Sequence, residues 1–111
     1  MKLARQYYLE KVPPEPKRMR FIARQSSYHG ITLGSLSLGG HVTRRAKFEP
    51  LLLDCVSQVS RCFPFRDKHK DETDSEYVAR LAEELDREFQ RVGTDTVCAF
   101  VVEPIVGAVS K

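Results

Sequence analysis

Hydrophobic positions along this chain follow two different periods. Tyr77, Leu81, Leu85, Phe89 and Val92 recur at spacings of four, four, four and three, which marks one face of a helix. Thr73 stands where an N-cap belongs, Glu76 completes a capping box, and Gly93 supplies the stop. Asp86 and Glu88 are expected on the opposite face. Thr96 to Val102 is then almost wholly apolar, as in a strand covered on both faces of a parallel sheet. Helix, glycine turn and buried strand make the second half of a βαβ unit.

The first half is more broken. Leu3, Ala4, Tyr7 and Tyr8 recur at helical spacing, and Val12-Pro13-Pro14-Glu15-Pro16 cannot continue a helix, because proline has no amide donor. Arg20 to Arg24 reads as a short strand and Ser26 to Gly30 as a loop. Ile31 to Leu38 reads as a short helix closed by Gly39-Gly40. His41 to Asp54 is expected to be irregular, Val59 to Arg66 a connector, and Asp67 to Asp74 a charged surface stretch. The carboxylates from Asp71 to Glu88 are expected on a solvated face. The pattern supports two or three strands, an incomplete sheet with exposed edges.

Composition narrows the class. The chain has 111 residues, 41% hydrophobic and 30% charged, enough for one ordinary globular domain. No apolar run approaches the roughly 18 residues of a membrane span, and Met1 to Arg5 lacks the apolar core of a secretion signal. Cys55, Cys62 and Cys98 are an odd number with no zinc-like spacing to a histidine, so a metal site and a disulfide framework are both disfavoured. That usage suits a reducing compartment, the cytoplasm first and the mitochondrion second.

Net charge is +3, but it is unevenly spread. Residues 1–70 carry 14 Lys/Arg and 5 Asp/Glu, and residues 71–111 carry 4 and 10. A basic half raises a polyanion-binding module as one reading; halves that face each other or another subunit are the plainer one. No recognition helix, RNA-reading signature or glycine-lysine phosphate loop accompanies the charge, so nucleic acid is not an expected partner.

Candidate chemistry lies where strands end, since open α/β sheets keep ligand sites at the carboxyl ends of strands. Tyr28 and His29 follow the first strand, with Gly30 behind them. An aromatic ring there can stack on a flat heteroaromatic ligand, or pack on the sheet edge as part of a surface turn. Glu103 follows the apolar strand and precedes Pro104. A carboxylate leaving a buried strand needs a partner or solvent. Ser26, Ser27, Ser35 and Ser37 show no nucleophile-elbow pattern. The residues nominate no catalytic group.

Three segments taken together carry a resemblance: Lys2-Leu3-Ala4-Arg5-Gln6-Tyr7-Tyr8, Arg20-Phe21-Ile22-Ala23-Arg24 with Ser27-Tyr28-His29-Gly30-Ile31-Thr32-Leu33-Gly34-Ser35-Leu36-Ser37, and Cys98-Ala99-Phe100-Val101-Val102-Glu103-Pro104-Ile105-Val106-Gly107. In this order the text resembles class III aminotransferases, the pyridoxal-phosphate-dependent enzymes related to ornithine and 4-aminobutyrate aminotransferases. The resemblance covers essentially the whole chain.

It implies the large domain of the type I pyridoxal-phosphate enzymes, a mostly parallel sheet with flanking helices, present here in part. It implies that Tyr28 stacks on the cofactor ring, that His29 and Gly30 shape that loop, and that Glu103 lies beside the ring. Leu3 to Tyr8 would end the helix whose N-terminus binds the cofactor phosphate. The parent enzyme would be a homodimer that passes an amino group from an amine or amino acid to a 2-oxo acid.

The resemblance also implies parts that do not match. The family's phosphate loop would precede Lys2, and the aspartate for the ring nitrogen and the lysine that holds the cofactor would follow Gly107. None of Lys2, Lys11, Lys17, Lys47, Lys68, Lys70 or Lys111 matches that lysine, and Ala108-Val109-Ser110-Lys111 departs from the family's glycine-rich continuation. The expectation is therefore that residues 1–111 form one fragment of the cofactor-binding domain, inactive alone. A non-catalytic binding protein derived from an aminotransferase is the alternative.

Overall fold

The computed structural model describes residues 1–107. The departure noted at Ala108 to Lys111 lies outside them. A three-stranded, all-parallel sheet runs through the middle in the order β2-β1-β3, with β1 Arg20–Arg24, β2 Val56–Val59 and β3 Val97–Val101. The partial parallel sheet with flanking helices is thus as expected.

Pleating sends alternate residues of β1 to opposite layers. Phe21 and Ala23 join Leu38 and Cys98 on one face, against Met1, Ala4 and Tyr8 of the N-terminal segment and helix α1 (Lys2–Glu10). Ile22 joins Val59 and Val97 on the other, against Leu85, Phe89 and Val92 of helix α5 (Asp74–Val92). Ile22 and Ala23 are fully buried, because strands lie on both sides and helices above and below.

The long helix follows its sequence closely. Thr73 Oγ1 accepts from the Glu76 amide at 3.2 Å, and the Glu76 carboxylate accepts from the Thr73 amide at 2.7 Å. At the other end Gly93 has φ +89°, which a side-chain-bearing residue rarely adopts. Tyr77 is buried with its hydroxyl partnered: it accepts from the Phe63 amide at 2.9 Å.

Strand β3 carries an irregularity. Arg20 pairs with Val97 but Phe21 with Ala99, so Cys98 is an extra residue. Cys98 and Ala99 consequently both meet the α1 side of the core. The Cys98 thiol donates to the Arg18 carbonyl at 2.8 Å, and burial pushes its pKa up.

Four expectations need correcting. Val56–Val59 is a strand, where the sequence suggested none between the irregular stretch ending at Asp54 and the connector beginning at Val59. Its four residues, Val-Ser-Gln-Val, carry two polar side chains, and only Val59 is buried, so an edge strand gives little periodic signal. Short helical turns also occupy the supposed irregular regions: α3 (Val42–Arg45) and α4 (Pro64–Asp67), with a 3₁₀ turn at Glu49–Leu51. Helix α2 (Leu33–Leu38) begins two residues later than Ile31, with Thr32 as its N-cap. Finally, the carboxylates around α5 are not all solvated. Glu84 accepts from the Ser60 amide and hydroxyl, each at 3.0 Å, Glu88 pairs with Arg91, and the Glu72 side chain, 9% exposed, pairs with Arg80.

Candidate functional site at the carboxyl ends of β1 and β3

Adjacent parallel strands end on the same side of a sheet. The two candidate motifs, 75 residues apart in sequence, are therefore neighbours in space. Strand β1 runs out with Gln25 still donating to the Val59 carbonyl at 2.9 Å. The chain then turns at Ser26, whose φ is +60°. The buried Ser27 hydroxyl donates back to the Arg24 carbonyl at 2.6 Å and closes the turn.

The Gly39-Gly40 pair packs against that turn. Gly40 donates to the Ser27 carbonyl at 3.0 Å, and its own carbonyl accepts from Ser26 at 3.1 Å. A Cβ on Gly40 would lie 2.5 Å from both Gln25 Cα and Ser26 N, so two backbones meet at a distance only glycine allows. The sequence showed this glycine as a helix stop; its closer duty is to hold the Ser26–Tyr28 turn.

From that turn Tyr28 presents its amide to Glu103. The Tyr28 N–H donates to Glu103 Oε2 at 2.9 Å. Both residues are half-buried, and the charge-assisted bond offsets part of the desolvation that a carboxylate meets at the end of an apolar strand. The Tyr28 ring has the Arg44 guanidinium 4.5 Å from its centroid. Next along the loop, His29 Nε2 is buried with no hydrogen-bond partner among the described residues. Gly30 follows at φ +119°, where a Cβ would come within 2.9 Å of Ser35 Oγ. All three predicted site residues thus come from one corner of the sheet.

Two open clefts flank Ser26. One, about 600 Å³, is lined by Gln25, Gly40, Arg45 and Gln58 among others. The second, about 300 Å³, lies toward Ser60, Arg61, Tyr77 and Arg80. Their arginines are largely engaged. Arg45 donates to the carbonyls of Leu36, Ser37 and Gly39 at 3.2, 2.9 and 2.7 Å, filling the acceptors that the end of α2 leaves open. Arg61 grips Asp67 through two hydrogen bonds at 2.7 and 2.9 Å. Arg18, in the basic half too, pairs with Glu15 and donates to the carbonyls of Thr94 and Val97. These three arginines of the basic half are held by groups of the fold itself.

A family model, aminotransferase class III, matches residues 1–109. The chain belongs to the class III aminotransferase family. An aminotransferase from Gibberella zeae is 57% identical over 109 residues, which cover 97% of this chain and 21% of that one. A probable gamma-aminobutyrate transaminase of rice, named as mitochondrial, is 36% identical over 107 residues, 92% of this chain and 20% of its own. Among solved structures, a thermostable (S)-enantioselective omega-transaminase from Thermomicrobium roseum superposes with a TM-score of 0.87 at 34% identity, over 96% of this chain and 23% of that one. The chain thus spans about a fifth of the length of the curated relatives it matches.

Class III aminotransferases are pyridoxal-phosphate enzymes. The residues at this corner fit one side of such a group. They offer an aromatic ring, a carboxylate bonded to the same residue's amide, and a buried imidazole nitrogen with no hydrogen-bond partner among the described residues. Among the described lysines, Lys11 pairs with Glu15, Lys17 with Asp95 and Lys68 with Asp74. Sequence reading found Tyr28, His29 and Glu103 but not Arg44, which it saw only as one of a basic cluster. Nothing in the local pattern around Arg44 signals a ring 16 residues earlier.

Proposed function

We propose that this chain carries the ring-stacking wall of a pyridoxal-phosphate-dependent transaminase. The whole enzyme would transfer an amino group from an amine or amino acid to a 2-oxo acid. The hydrogen bond from the Tyr28 amide to Glu103 carries the reading, because it makes one rigid corner from the two motifs that the resemblance assigns to the cofactor.

When bound, the cofactor would carry the amino group on the carbon of its aldehyde substituent, with the ring withdrawing electrons from that carbon. In this reading Tyr28 lies flat against that ring and excludes water from one side. Glu103 holds the Tyr28 loop at its amide and keeps a negative charge near the ring edge. His29 lends its unpartnered nitrogen to the same loop. Residues 1–111 act as one piece of the large domain.

Because none of the chain's lysines matches the one that holds the cofactor in the family, we assign the isolated chain no turnover. The parent enzyme acts as a homodimer, in the cytoplasm or the mitochondrion. To test the central claim, the purified chain is given pyridoxal phosphate, an amine donor and a 2-oxo acid. No product is expected. Sustained turnover that disappears in Tyr28→Ala would overturn the inactivity and leave the site standing; turnover indifferent to that change would overturn both.

A further inference from the structure

We infer that Arg44 is a positioning residue for the cofactor-stacking tyrosine, an inference that rests on the reading of Tyr28 given above. Tyr28 is held at two points by unlike forces. Its amide is tied to Glu103 at 2.9 Å, which fixes the backbone but leaves the side chain free to rotate. The guanidinium of Arg44, 4.5 Å from the ring centroid, fixes the second element. A planar cation over an aromatic face is attracted by the ring quadrupole and stacks on it.

Arg44 has little else to hold it. It is exposed and forms no ion pair among the described residues. Its neighbour Arg45 is anchored by three carbonyls and Glu49, which pins the short helix α3 and so places Arg44 next to the ring. The guanidinium lies over the Tyr28 ring, and in this inference a flat ligand would take the opposite face. The ring is presented in one orientation before the ligand arrives, which lowers the ordering cost of binding.

The probe is pyridoxamine phosphate, which has the ring and phosphate but no aldehyde to react with surface lysines. It is titrated into the full 111-residue chain while the Tyr28 amide is followed by NMR and the ligand by its own fluorescence anisotropy. Arg44→Gln should weaken binding about two- to fivefold. Arg44→Lys should fall between that variant and the wild type. The urea midpoint should not move in either, because Arg44 is exposed. Unchanged or tighter binding in Arg44→Gln, with binding still lost in Tyr28→Leu, would overturn this inference alone; tighter binding would mean that the guanidinium sits on the ligand's own face. Absence of binding by the wild type, or binding that survives Tyr28→Leu, would overturn the reading of Tyr28 and this inference with it.

Discussion

The amide of Tyr28 donates a 2.9 Å hydrogen bond to the carboxylate of Glu103, across 75 residues of sequence. Each residue follows the end of a parallel strand, and the strands are neighbours. The loop after β1 is thereby tied, at Tyr28, to the segment that follows β3.

Glu103→Ala should release that loop. The Tyr28 amide should exchange with solvent about tenfold faster or more, given the strength of a hydrogen bond to a charged acceptor. Amides of Ile22 and Ala23 in the core should be unaffected. Hydrogen exchange read residue by residue checks this, and equal acceleration across the sheet would mean that Glu103 supports the whole fold rather than the loop.

Gly40→Ala should be among the most damaging small substitutions. Its methyl would sit 2.5 Å from two backbone atoms, neither of which can swing aside as a flexible side chain can. A loss of about 1–3 kcal/mol is expected from such overpacking. A urea titration measures it. Gly107→Ala, which meets nothing within 4 Å, is the control and should be neutral.

Acid should loosen the corner where α4 meets α5. Hydrogen bonds from Arg80 first, then from the His69 amide, hold the Glu72 carboxyl down at about 2, against an ordinary 4.5. A depressed carboxyl stabilises the fold above its unfolded value and loses that contribution as pH falls through its folded one. Arg61 holds Asp67 low in the same way. Stability should therefore decline between about pH 4.5 and pH 2. In Glu72→Gln that decline should be shallower, as followed by circular dichroism in urea at each pH.

Alkylation should rank the three thiols by access. Cys62 is exposed, Cys55 half-buried and Cys98 buried, with its thiol pKa raised by burial. Iodoacetamide under native conditions should label Cys62 first and Cys98 last, as read by peptide mass spectrometry. Early labelling of Cys98 would mean that β3 opens locally far more often than its position implies.

Much of this fold was legible from local pattern. The capping box at Thr73, the apolar face from Tyr77 to Val92 and the apolar strand read at Thr96 to Val102, found at Val97–Val101, are all set by neighbours within a few residues. Strand Val56–Val59 was not legible, because an edge strand with polar Ser57 and Gln58 takes its identity from pairing with β1. Glu84 and Glu88 looked solvent-facing for a related reason. They flank the apolar stripe, and only the packed sheet brings Ser60 to Glu84.

The candidate site divides along the same line. By itself the sequence determined that Tyr28, His29 and Glu103 stand at strand ends, because strand propensity and the breaks at Gly30 and Pro104 are local properties. It also carried the family resemblance, which is written in residue order. Tertiary structure decided that the two strand ends are adjacent, that Glu103 takes the Tyr28 amide rather than solvent, and that Arg44 lies over the ring. Those contacts depend on strand order and on the close approach at Gly40, and the relative placement of distant segments is fixed only when the whole sheet packs.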